Sequence, residues 1–94
     1  MLTEARVTTE HGAAYVKKLC RHFAHKVPTQ QANNKARIKF PFGHCRIETG
    51  DKHVHFSMVV DNPDAIDKAE QVVAEHFIRM ANRDKPEVVW LRSH

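Results

Sequence analysis

The densest run of reactive side chains lies between Leu19 and Lys26, where Cys20, His22, His25 and Lys26 fall within eight residues. A thiolate with imidazoles is the donor set of soft metal sites and of cysteine nucleophile–base pairs. Spacing limits what these groups do together. Val16, Leu19, Cys20 and Phe23 recur at helical intervals, so the stretch reads as the end of an amphipathic helix. At about 100° per residue, Cys20 and His22 diverge by roughly 160° to 200° and do not readily share an ion. Cys20 falls on the apolar stripe, where a thiol behaves as a small buried hydrophobe. His22 and His25, three residues apart, fall on one polar side with Lys18, the position of a solvated helix face.

A second set of donors lies in segments that alternate like strands. His53 and His55 are spaced i, i+2, point to one face and suit a single ion, with His44 on the neighbouring strand as a third nitrogen. Cys45 is the other thiol. It points into the same core as Cys20, and the two form a soft candidate site if the helix end sits over Gly43 and His22 or His25 reaches round. Iron and zinc are the metals such donors would take. With Ile38, Phe40, Cys45, Ile47, Val54 and Phe56 facing the helices, Arg37, Lys39, His44, Arg46, His53 and His55 face the other way. That surface is basic and suits phosphates or an acidic partner. It carries no aromatic side chain for base stacking, which counts against nucleic acid.

These groups depend on elements that the pattern places in order. Ala5 to Thr9 alternates as a first strand, and Thr9 or its successors cap a helix over residues 11 to 25. Pro28 stops the helix, and the polar run from Gln30 to Lys35 reads as a loop. Ala36–Phe40, His44–Glu48 and His53–Val60 are strands, separated by Pro41-Phe42-Gly43 and by a hairpin turn from Thr49 to Lys52. Asn62 and Pro63 start a second helix, with Asp64 and Asp67 at the positive end of its dipole. Ile66, Ala69, Val73, Phe77 and Met80 form its apolar stripe, and Asn82 is a plausible stop. Glu87–Leu91 is a final strand. The order β-α-β-β-β-α-β implies an α+β two-layer sandwich: a mainly antiparallel sheet with both helices on one face. A ferredoxin-like strand order with an added strand and a TATA-binding-protein-like order both satisfy the pattern.

Composition bounds the function. The 94 residues are expected to form one domain, 1–94, with a modest core. A net charge of +4 favours an acidic partner without demanding nucleic acid, and eight histidines make that charge sensitive to pH. Two cysteines, no C-x-x-C pair and no secretory leader point to free thiols in a reducing cytoplasm, and nothing is long and apolar enough to span a membrane. No phosphate-binding glycine loop, Ser/His/Asp set or paired carboxylates stand out, and a chain this small has little room for a deep substrate cleft.

The run from Leu19 to Lys26, followed by Ile38–Gly43 and Cys45, resembles the small bacterial domains of unknown function family 2218. In that family a Leu-Cys-basic-His-aromatic-x-His-Lys helix end precedes a Phe-Gly-x-Cys turn, and Trp90 in the last strand also matches. The resemblance spans nearly the whole chain and singles out Cys20, His22, His25, Lys26, Gly43 and Cys45. It implies no catalytic activity. Such domains accompany siderophore-uptake proteins, which implies a connection with iron. The leading expectation is a small non-catalytic binding or accessory domain for a protein or small ligand, with the open sheet face free for that partner or for a second copy in a homodimer. The sharpest alternative is a metal- or iron-ligand-binding protein using the His and Cys residues.

Overall fold

Period-two alternation sets most of the sheet. In the computed structural model, which describes residues 1–93, β1 (Leu2–Thr8) leads through α1 (Gly12–Ala24) to four consecutive strands. These are β2 (Thr29–Ala32), β3 (Lys35–Phe40), β4 (Gly43–Thr49) and β5 (His53–Val60). A 3-10 turn (Pro63–Ala65) opens α2 (Ile66–Met80), and β6 (Trp90–Ser93) closes the chain. The six strands form one sheet in the order β2-β3-β4-β5-β1-β6, with every neighbouring pair antiparallel.

The α+β two-layer class stands as expected. The strand order is that of a ferredoxin-like unit, β4-β5-β1-β6 with its two helices, extended beyond β4 by the β2–β3 hairpin. The run from Gln30 to Lys35 is therefore not a loop. Its first part is an edge strand exposed on both faces, which is why it shows no apolar alternation. Asn33, in the left-handed region at φ 55°, turns the chain into β3. The last strand begins at Trp90, three residues later than the pattern places it, because pairing with β1 starts at Ala5 opposite Trp90.

Both helices cover one face. Tyr15, Val16, Leu19, Cys20 and Phe23 of α1 and Ile66, Ala69, Val73 and Phe77 of α2 are buried against the inward residues of the sheet. Phe56 at the centre meets Phe77 edge-on at 4.9 Å. The helix starts follow local chemistry. The Asn62 side chain accepts the Asp64 backbone N–H at 2.9 Å, with Pro63 in the first turn. Thr9 acts from just before α1, its hydroxyl accepting the His11 backbone N–H at 3.1 Å. No helix among the described residues is long and apolar enough to cross a membrane.

Candidate functional site

The helical stripe carries Cys20 into the core beside Cys45, and both are free thiols. Burial pushes the Cys45 thiol up to about 12, with Cys20 nearby adding to the shift, and burial raises Cys20 too. Thiols held protonated are poor nucleophiles and poor metal ligands. Neither histidine of the helix end joins them. His22 lies on the α2 side of α1, its ring 4.9 Å from that of His76. Cys20 lies on the opposite side, lining a depression with Thr29 and Gln31 of β2. His25 and Lys26 are exposed just after α1.

The solvated-face reading of His22 is corrected by the same contact. Its ring packs edge-on to Phe23 at 5.3 Å and against His76, and its Nε2 is buried with no hydrogen-bond partner among the described residues. Burial first, then the neighbouring His76, Lys26, Arg79 and His25, lowers its pKa. His76 contributes a fixed tautomer: Val72 offers only a carbonyl, so Nδ1–H donates to it at 2.6 Å. The expectation missed His76 because a helix flank residue gains meaning only from the helix opposite.

Gly43 has a backbone role. It sits at φ 150° at the start of β4, and a Cβ there would lie 2.0 Å from the Val59 carbonyl oxygen. The glycine of the Phe-Gly-x-Cys turn thus lets β4 close onto β5.

The three strand histidines do not converge. His55 stands opposite Glu48 on β4 and Arg6 on β1, whereas His44 stands opposite Val59. Four residues along β5 separate the levels of His44 and His55, about 13 Å at strand rise. His55 instead lies 4.0 Å from Glu4. Among the described residues, no three His, Cys, Asp or Glu side chains are grouped to hold a metal ion. The donors proposed for iron or zinc therefore do not fit a metal centre.

What register does assemble is the basic face. Opposed residues of antiparallel strands project to the same side. One row across the sheet reads Gln30, Arg37, Arg46, Ser57, Glu4 and Leu91, and the row beside it holds Lys39 and His44. Arg37 and Arg46 thus face each other directly, flanked by neutral Gln30 and Ser57. Neither they nor Lys39 and His44 form an ion pair among the described residues. In the row beyond, by contrast, Glu48 stands between Lys35 and His55, with Arg6 next to His55. Two depressions, of about 410 and about 540 Å³, share Gln30 and Arg37.

Two polar clusters escaped the sequence reading, and both are structural. Glu70, buried in the sheet-facing side of α2, accepts from Thr3 Oγ1 at 2.7 Å and from Arg92 Nε at 3.0 Å and Nη2 at 2.7 Å. Arg92 also pairs with Asp67. The Arg92 hydrogen bond is the main cause that holds the Glu70 carboxyl below its ordinary range. Asp84, beyond α2, accepts from Thr9 and from the Tyr15 hydroxyl, tying the α2 exit to the α1 entry. These partners are 22 to 75 residues apart, with no local signal to join them.

Residues 4–91 match the model of a family described as an uncharacterized protein conserved in bacteria, DUF2218. The chain is similar to the NMR structure of PA4090 from Pseudomonas aeruginosa, with a TM-score of 0.81 and 29% identity, over 99% of this chain and 97% of that one. No curated protein matches it.

Proposed function

The chain belongs to the DUF2218 family, and on that footing we propose that it is a non-catalytic cytoplasmic binding domain whose partner docks on the open face of the sheet. The carrying observation is the block of Arg37, Arg46, Lys39 and His44, four basic side chains on adjoining strands without a paired carboxylate among the described residues. Directly opposed like charges destabilise a sheet, so a fold that keeps them has a use for an anion there. A non-catalytic role is supported by the burial of both thiols, the nucleophile candidates. Free thiols also suit a reducing compartment.

Photo-crosslinking in cells tests this reading, with the reactive group placed at Ser57 on the open face or at Glu75 on the exposed side of α2. A partner captured from Ser57 is expected to bind again when purified, and to bind more weakly to the Arg46→Gln variant. Partners captured only from Glu75, or binding indifferent to Arg46, would remove the open face from the function.

A further inference from the structure

We propose that the occupant of this face is an extended acidic segment of a partner protein, with carboxylates at alternate positions. This inference rests on the open-face reading and adds the chemistry and spacing of the ligand. Arg37 and Arg46 occupy one row and Lys39 and His44 the next, two residues further along both strands. Rows so related lie about 6.7 Å apart, and neighbouring strands about 4.8 Å apart. Alternate side chains of an extended peptide repeat at the same interval of about 6.7 Å. Two acidic residues separated by one therefore place one carboxylate over each row, where each meets two donors from different strands. An aspartate or glutamate over the Arg37–Arg46 row relieves the repulsion between the guanidiniums and gains charge-assisted hydrogen bonds.

The surroundings favour a peptide over a nucleic acid. The outward positions of the strands carry no Phe, Tyr or Trp on which a base would stack; their only rings are the imidazoles of His44, His53 and His55. Glu48 follows the block at one end, and Asp61 lines the depression that also holds Arg37, Lys39 and His44, so carboxylates bound the two positive rows. A continuous phosphate backbone would run onto those carboxylates, whereas a short acidic motif ends before them. Gln30 on β2, opposite Arg37, supplies a neutral side chain suited to the peptide's own amides.

NMR titration of the isotope-labelled full chain tests this with two synthetic peptides of equal composition, Gly-Glu-Thr-Glu-Thr-Glu-Gly and Gly-Glu-Glu-Thr-Thr-Glu-Gly, the second without two acidic residues separated by one. The alternating peptide is expected to shift the Arg37, Lys39, His44 and Arg46 signals. It should bind about fivefold tighter than its isomer, the worth of one further exposed ion pair. Added salt should weaken it. The Arg37→Gln/Arg46→Gln variant should lose the response while the core signals stay in place. Equal binding of the isomers would overturn the spacing argument, and no binding of either would overturn the acidic segment as ligand. Tighter binding of an oligothymidylate of the same charge at these residues would also overturn it, while leaving the open-face reading intact. Peptide-induced shifts confined to the helical face would overturn both.

Discussion

Cys20 and Cys45 stand next to histidines in the sequence pattern, yet the fold separates thiol from imidazole. Cys45 is fully buried, and burial holds its pKa up at about 12. A thiol reagent at pH 8 is therefore expected to leave Cys45 unmodified in the native protein and to react after addition of denaturant. Rapid native labelling of Cys45 would contradict its placement. His22 makes the complementary point, as an ionisable ring pressed between helices and surrounded by His25, Lys26, His76 and Arg79. Its folded pKa is lowered from the ordinary 6.5. The unfolded chain therefore takes up the proton first as pH falls. The contribution to stability is fully present above about 6.5 and declines as pH drops through that value toward the folded pKa. His22→Phe keeps a ring against His76 and Phe23 and removes the titrating group. Urea unfolding between about pH 7.5 and about pH 5 should show a smaller loss of stability in the variant than in the parent chain. Equal losses would mean that His22 titrates as if exposed.

Among the elements, the β3–β4 hairpin does the most to create the candidate site. Its closure depends on Gly43, where the φ of 150° and the Val59 carbonyl both exclude a side chain. Gly43→Ala is expected to cost at least about 2 kcal/mol, from backbone strain and displacement of β5. An unchanged denaturation midpoint would show that the β4 start adjusts freely. The same hairpin sets Arg46 against Arg37. Arg46→Thr removes a like-charge pair and puts a good strand former in its place, so it should stabilise the ligand-free chain by about 0.5 kcal/mol. A loss of stability would indicate that the two guanidiniums do not repel one another. A binding surface that costs its own fold stability is the pattern expected where the compensating charge arrives with a partner.

At the level of the whole molecule, the sheet extends on one side from a ferredoxin-like unit and ends in two edges of different character. β2 is polar and exposed, whereas β6 is held to α2 through Arg92, Glu70 and Asp67. Thr3 on β1 joins the same cluster, so Glu70 links two strands to one helix. Glu70→Gln removes the charge that Arg92 meets. Solvent at Arg92, whose side chain is 37% exposed, moderates the loss to about 1 kcal/mol. Hydrogen exchange should locate the change, with β6 amides exchanging faster in the variant while those of β4 and β5 keep their protection. Uniform acceleration across the sheet would instead make Glu70 a determinant of global stability.

The sequence by itself determined the elements whose signals are local. These are the apolar stripes of α1 and α2, the alternation of β3 to β5, the Asn62–Pro63 start and the choice of which strand residues face out. Each depends on residues within a turn or two of one another, so periodicity suffices to find it. The basic face was legible in the same way, as the polar half of two alternating strands. Only the tertiary structure decided what stands beside what. β2 was illegible because an edge strand solvated on both faces has no reason to alternate. Strand order, the pairing of Arg37 with Arg46 and the separation of His44 from His55 are consequences of register, and a slip of one residue would exchange the two faces of a strand. The burial of His22 against α2 and the Glu70–Arg92 link likewise join distant parts of the chain. Such contacts form because packing two amphipathic layers minimises exposed apolar area, a property of the assembled layers that no single segment contains.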